Sequence, residues 1–226
     1  MLQYASAGSA YDREAENHMT AGATVFVVDD NVSVCQSMRA LLESAGLAVE
    51  TFTASEEFLA VYDSARAGCL VLDVRLRYGK NGLDLQDELR RRKATLPIIV
   101  LTGHGSVPTS VRAFKAGAFD FLQKPTAPKL LLERIRAALE VDSQARATAT
   151  QHDGVIGQLD HLTPREREVM ELLLKGKTSK EIAETLHRSV RTVEGHRRMV
   201  FMKMGVSSAA QLVGIVMDTR QSRPRA

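Results

Sequence analysis

Five side chains able to do chemistry stand at the ends of short apolar runs in the first half of this sequence. VFVVDD ends in Asp29 and Asp30, CLVLD in Asp73, PIIVLT in Thr102 and FDFLQK in Lys124, just before Pro125. Three carboxylates drawn together repel one another and raise each other's proton affinity unless a cation joins them. A hard divalent ion such as Mg2+ suits such a group, because it takes one or two carboxylates and keeps several waters. With a metal and an ammonium nearby, one ionised Asp can attack a phosphoryl group. The charge that then develops on the equatorial oxygens can be met by the metal, Lys124 and Thr102. Singly, each residue has a plainer reading: Asp30 as a helix cap, Thr102 and Lys124 as turn or surface groups. Jointly, complementary chemistry at four strand ends points to one site.

The elements that must bring these ends together read as five β-α units. Strands are expected at TVFVV (24–28), LAVETF (47–52), CLVLDV (69–74), PIIVLT (97–102) and FDFLQK (119–124). Helical patterns lie between and after them. The first carries Val34, Met38, Leu41 and Leu42 on one face. SEEFLAVY (55–62) looks capped by Ser55, and LDLQDELRRR (83–92), VPTSVRAFKAG (107–117) and PKLLLERIRAALE (128–140) follow. Short continuous apolar strands alternating with helices predict an α/β fold, a doubly wound five-stranded parallel sheet covered on both faces. In such sheets the carboxyl ends of the strands carry the chemistry.

The four motifs VFVVDDN, LVLDVR, IIVLTGHG and FDFLQKP, in this order over roughly residues 23–141, closely resemble the receiver domain of two-component response regulators, a flavodoxin-like fold. The resemblance implies that Asp73 is the phosphoacceptor. It implies that Asp29, Asp30, Asp73 and the backbone carbonyl of Arg75 hold Mg2+. Thr102 would bind the phosphoryl group, Lys124 would pair with it through a cis peptide to Pro125, and Phe121 would be the aromatic that turns between states. Phe121 equally fits a core position in a strand. A phosphoryl group adds about −1.5 to −2 charge. Thr102 would move toward it and Phe121 would fill the vacated space, reshaping a face on which Arg112, Lys115 and Asp120 lie as surface charges or dimer contacts.

The last part is all helical. LTPREREVMELLLKG (162–176) opens with Thr163 as N-cap, Pro164 in the first turn and Glu166 completing a capping box; Gly176 stops it. TSKEIAETLH (178–187), SVRTVEGHRRMVFMKMG (189–205) and SSAAQLVGIVM (207–217) follow. The middle pair is a helix-turn-helix, with Ile182, Ala183 and Leu186 on one apolar stripe and Val193, Val200 and Met204 on the other. Ser189 caps the second helix, whose polar face carries Arg191, Glu194, Arg197 and Arg198. A small helical bundle with a solvated basic face is the alternative. The run LTPREREVMELLLKGKTSKEIAETLHRSVRTVEGHRRMVFMKMGVSSAAQLV closely resembles the LuxR-type DNA-binding domain over its full length. That resemblance implies that Val193 packs the recognition helix onto its core, that Glu194, Gly195 and Arg198 face base edges, and that Thr192 is a further DNA-binding residue. Lys180, Arg191, His196 and Arg197 would lie nearer the DNA backbone. Leu212, Val213, Val216 and Met217 serve a core or a dimer.

Composition and charge fit this division. The segment 23–141 has 15 Lys+Arg against 14 Asp+Glu, whereas 159–226 has 13 against 8, so the basic excess sits where a polyanion partner is expected. Cys35 and Cys69 lie in apolar contexts without metal spacing and read as buried, reduced thiols of a cytoplasmic protein. No apolar run reaches membrane-spanning length, so no membrane partner is expected. Residues 1–22 have acids where a signal peptide needs a basic start and read as a disordered tail. The remaining boundaries are a receiver at 23–141, a linker at 142–158, a DNA-binding domain at 159–220 and a basic tail at 221–226.

Together the two resemblances match the NarL/FixJ class of response regulators, in its FixJ-like branch. They imply a cognate sensor histidine kinase, double-stranded promoter DNA and a homodimer on phosphorylation, with RNA polymerase as a further candidate partner. Two rivals stand beside this reading. One is a DNA-binding regulator whose receiver does not signal. The other is a Mg-dependent phosphatase, against which Arg75 occupies the place of a general acid two residues after the nucleophile. The loop after Asp73 departs from the common receiver pattern. Arg77 stands where a Pro is usual, and the stretch Arg77 to Asn81 is one residue longer, either as a tolerated insertion or as a basic device at the mouth of the site.

Overall fold

The computed structural model describes residues 22–76, 81–103 and 107–221. The expectations placed on the N-terminal tail, on Arg77 to Lys80 and on the last residues lie outside the described residues. The chain divides into two units, residues 1–146 and 147–226.

In the first unit the strands are β1 (Thr24–Val28), β2 (Ala48–Phe52), β3 (Gly68–Asp73), β4 (Ile98–Thr102) and β5 (Asp120–Gln123). The helices are α1 (Val32–Ser44), α2 (Ser55–Val61), α3 (Gly82–Arg91), α4 (Val107–Lys115) and the start of α5 (Pro128–Asp160). The sheet is parallel throughout, in the order β2-β1-β3-β4-β5. The chain therefore reverses its direction of travel across the sheet after β2, which opens a crevice at the carboxyl ends of β1 and β3.

Side chains alternate across each strand with period two. Val25, Val27, Cys69, Val71, Ile99 and Leu101 face α1 and α5, meeting Met38, Leu42, Leu131 and Ile135. Phe26, Val28, Leu70, Leu72 and Val100 face the other way, onto Phe58 of α2, Leu85 and Leu89 of α3 and Ala113 of α4. Both layers are almost fully buried, which is why the strands read as unbroken apolar runs. Each large side chain so buried stabilises the fold by about 1.5–3 kcal/mol.

Two local readings change. Ser55 does not cap α2: the N-cap is Ala54, without a side-chain bond, while Ser55 is fully buried one position later. Glu57 takes the backbone N–H of Thr53 instead, at 2.9 Å. The helix expected over 128–140 also runs on to Asp160, through the stretch read as a linker. Ala-rich, Pro-free sequence permits this, and Asp142 with Arg146 supplies an anchor. Asp142 is buried and accepts from Gly68 N–H at 2.9 Å and from Arg146 Nε at 2.7 Å. Arg146 in turn donates to the carbonyls of Ser64, Ala65 and Arg66.

The second unit contains α6 (Pro164–Leu174), α7 (Ser179–Leu186), α8 (Val190–Lys203) and α9 (Ala209–Gln221). Thr163 and Glu166 form the expected capping box on α6, and Thr178 with Glu181 forms a second on α7. Glu166 also accepts from Lys203 Nζ at 2.6 Å, tying the start of α6 to the end of α8. This bond, acting against burial, holds the Glu166 carboxyl below its ordinary range. The core gathers Val169, Leu173, Ile182, Val193, Val200, Met204, Leu212 and Val216. Leu212 and Val216 are thus core residues, while Met217 is exposed.

Candidate functional site

The carboxyl ends of β1 and β3 bring Asp29, Asp30 and Asp73 together. One carboxylate oxygen from each lies within 4.8 Å of the others. Lys124, just past the end of β5, reaches across: its Nζ donates to Asp29 Oδ2 at 2.5 Å and to Asp73 Oδ2 at 3.0 Å. Its peptide bond to Pro125 is cis. Burial works to lower the Lys124 pKa, but the bonds to Asp29 and Asp73 outweigh it and hold the ammonium above the usual lysine range. Asp29 is buried, whereas the cleft itself opens to solvent between Asp30, Asn31, Asp73, Arg75 and Lys124, with a volume of about 570 Å³.

Backbone groups orient the two inner carboxylates. Asn31 N–H donates to Asp29 Oδ1 at 2.9 Å, and Arg75 N–H to Asp73 Oδ1 at 3.3 Å. Asn31, not Asp30, is the N-cap of α1, accepting from Ser33 N–H at 3.0 Å. Asp30 is therefore not spent on capping. Beneath the site, Cys35 Sγ donates to the Asp29 carbonyl at 3.2 Å. Burial, then the charge of Asp29, pushes this thiol's pKa up. Cys69 is pushed up by burial as well, so both cysteines stay protonated and unbonded to one another.

One residue that sequence reasoning passed over supports Asp73 directly. Gly82 opens α3 and packs its bare Cα against the end of β3. A Cβ there would lie 2.0 Å from the Asp73 carbonyl oxygen. Gly82 N–H also donates to the Val74 carbonyl at 3.1 Å. The glycine is visible in the sequence, but its approach to Asp73 is visible only in the fold.

Thr102 is buried at the end of β4, and its carbonyl accepts from Lys124 N–H at 2.7 Å. Phe121, half-buried on β5, stands 6.4 Å from the ring of Phe114 on α4. Phe114 and Val111 are both exposed. Of the charges expected on this face, Arg112 turns to α3, reaching Asp84 and Asp87 at 3.0 Å each. Asp120 pairs with Arg134 of α5 at 3.2 Å.

In the second unit, α7 and α8 form the helix-turn-helix. His187 ends α7 in the left-handed conformation, with φ 52° and ψ 49°, and Ser189 caps α8 by accepting from Thr192 N–H at 3.1 Å. Val193 is buried in the core, as expected. This leaves Arg191, Glu194, Gly195 and Arg198 exposed on the outer side of α8, with Lys180 exposed on α7. Thr192 is exposed too, but its hydroxyl lies 2.8 Å from Ser189 Oγ, within the cap. His196 and Arg197 are half-buried. A basic, exposed helix face of this kind fits the major groove of DNA.

Two family models match the chain: the response regulator receiver domain over residues 25–136, and the luxR family of bacterial regulatory proteins over residues 160–216. The chain is 37% identical to the response regulator protein TodT of Pseudomonas putida, over 91% of this chain and 90% of that one. It is 36% identical to the transcriptional regulatory protein FixJ of Bradyrhizobium diazoefficiens, over 88% and 97%. It is also similar in structure to the response regulator StyR, with a TM-score of 0.80 and 40% identity over 87% of this chain and 98% of that one.

Proposed function

The chain belongs to the NarL/FixJ class of two-component response regulators, phosphorylation-controlled DNA-binding transcriptional regulators, and from that premise we propose that Asp73 is the residue that carries the phosphoryl group. The observation that carries this reading is the convergence of Asp29, Asp30 and Asp73 within 4.8 Å, with Lys124 bridging two of them. Asp73 stands at the open end of a central strand, its carboxylate held by one backbone N–H and by Lys124. Its oxygen attacks the phosphorus of a phosphohistidine on a sensor kinase. The new O–P bond forms as the N–P bond breaks, and the imidazole leaves.

The donor set fits Mg2+: three carboxylates beside an open cleft, with Asp29, Asp30, Asp73 and the Arg75 carbonyl as its protein ligands. When bound, the ion neutralises the charge that develops on the phosphoryl oxygens. The residues do the rest. Lys124 pairs with a phosphoryl oxygen in place of an Asp73 oxygen, and the Thr102 hydroxyl binds another. Phe121 then shifts toward the space Thr102 leaves, altering the α4–β5 face, where the exposed Val111 and Phe114 form a dimer contact. The paired second units bind double-stranded promoter DNA through Lys180, Arg191, Thr192, Glu194, Gly195, His196 and Arg198, with Arg197 set among them on the same helix. RNA polymerase is a further partner at the promoter. Among the described residues no helix is long and apolar enough to cross a membrane. As a regulator that acts on promoter DNA, the chain works in the cytoplasm.

The test is incubation with acetyl phosphate and Mg2+. Wild type should acquire a hydroxylamine-labile phosphoryl group that Asp73→Asn does not acquire. No label on wild type, or an equal label on the variant, removes Asp73 from the role.

A further inference from the structure

Arg197 is held differently from the other arginines of α8. Its Nη1 donates to Ser179 Oγ, at the start of α7, at 3.2 Å. Its guanidinium carbon stands 5.2 Å from the centre of the Phe201 ring, one turn along α8. The same nitrogen lies 3.8 Å from Glu194 Oε1, one turn back. Ser179 is buried and Phe201 half-buried, so the guanidinium rests on fixed groups on two sides and reaches Glu194 on the third. An exposed ion pair of this spacing contributes only about 0–1 kcal/mol to stability. What the three contacts provide is position.

Glu194 needs such a device. It is exposed on the helix face that meets a polyanion, where phosphates repel a carboxylate. The base-edge group that suits a carboxylate in the major groove is the N4 amino group of cytosine. A guanidinium fixed beside it offsets its charge and limits its rotation. The neighbouring Gly195 has open space where a Cβ would stand, so no side chain crowds the approach of a base.

We propose that Arg197 is a positioning residue that orients Glu194 to accept a hydrogen bond from cytosine N4, making Glu194 the side chain that selects a cytosine in each half-site. The proposal rests on reading α8 as the helix that enters the groove. It assigns Arg197 a task other than the backbone contact expected from its sequence position.

The experiment selects binding sites for the full chain, treated with acetyl phosphate, from a randomised duplex pool, and then titrates single-base variants of the selected duplex at two salt concentrations. Wild type should prefer cytosine at one position per half-site by about tenfold or more. Glu194→Ala should lose that preference. Arg197→Ala should lose it too, with an unchanged salt slope, and the double variant should lose nothing further. Arg197→Lys, which keeps the charge but not the planar fork, should restore it at most in part. Ser179→Ala leaves the Thr178 cap in place, and should weaken the same preference without lowering the melting temperature. Uniform weakening by Arg197→Ala, with the salt slope reduced by about one contact, would make Arg197 a phosphate ligand and overturn the proposal. Retained cytosine preference in Arg197→Ala would overturn it as well. A wild-type chain without any sequence preference would overturn both this proposal and the groove reading of α8.

Discussion

Replacing Gly82 with Ala should disable the acidic cleft from outside it. The added Cβ would stand 2.0 Å from the Asp73 carbonyl oxygen, 2.9 Å from its carbonyl carbon and 3.0 Å from the Val74 Cα. All three are backbone atoms, so no side chain can swing aside. Restoring ordinary contact of about 3.5 Å requires the end of β3 and the start of α3 to part by roughly 1.5 Å. Overpacking of this kind costs about 1–3 kcal/mol. Its larger effect is on placement. Asp73 would shift by a sizeable part of that distance relative to Asp29 and to Lys124, whose Nζ stands 3.0 Å from Asp73 Oδ2. A misplacement near 1 Å can slow a reaction about a hundredfold. The assay is the rate of Asp73 labelling by acetyl phosphate in Mg2+, with thermal melting alongside. Gly154→Ala is the control: it lies inside α5, with nothing within 4 Å of the new Cβ, and should stabilise by about 0.5–1 kcal/mol. Gly82→Ala labelled at the wild-type rate, with an unchanged melting temperature, would refute the close-packing argument.

Other perturbations separate the remaining supports. Asp142→Ala leaves the buried Gly68 N–H without its acceptor and removes the carboxylate partner of Arg146, which keeps only its bonds to backbone carbonyls, so stability should fall by about 2–3 kcal/mol, and less for Asp142→Asn; a change below about 0.5 kcal/mol in denaturant melts would contradict the anchor. Because Lys203 holds the Glu166 carboxyl below its ordinary value of 4.5, that stability is full above 4.5 and is lost as pH falls through the lowered value. Lys203→Met should therefore cost about 1–2 kcal/mol at neutral pH and flatten the acid limb of the stability curve; parallel curves for the two proteins would contradict the pairing. Gly195→Ala meets open space on α8 and should raise helix stability by up to about 1 kcal/mol while altering DNA sequence preference, read by melting and site selection together.

Much of the fold was legible because its strands are buried on both faces. Val25 to Val28 and Leu70 to Leu72 read as continuous apolar runs, and the first polar residue after each run marks the carboxyl edge. That is why Asp29, Asp30, Asp73 and Lys124 could be grouped before any geometry was seen. The errors lie where distant residues decide. Residues 141–152 lack an apolar stripe; the helix there is held at its start by Asp142 reaching Gly68, 74 positions away, and only further on do Val155 and Leu159 pack into the core of the second unit. Ser55 looked like a cap by type, but its side chain is buried while Glu57 serves Thr53. Gly82 carries no special signal in the chain, because it matters through a backbone contact with the end of β3; Arg197 was legible as part of a basic helix face, while its bond to Ser179 on a different helix was not.

The central claim is that phosphorylation of Asp73 controls DNA binding, and a binding titration on a selected duplex tests it most directly. Wild type treated with acetyl phosphate and Mg2+ should bind more tightly than untreated wild type, and Asp73→Asn should show no response to the same treatment. Equal affinity in all four samples would contradict the account and leave a DNA-binding regulator whose receiver does not signal.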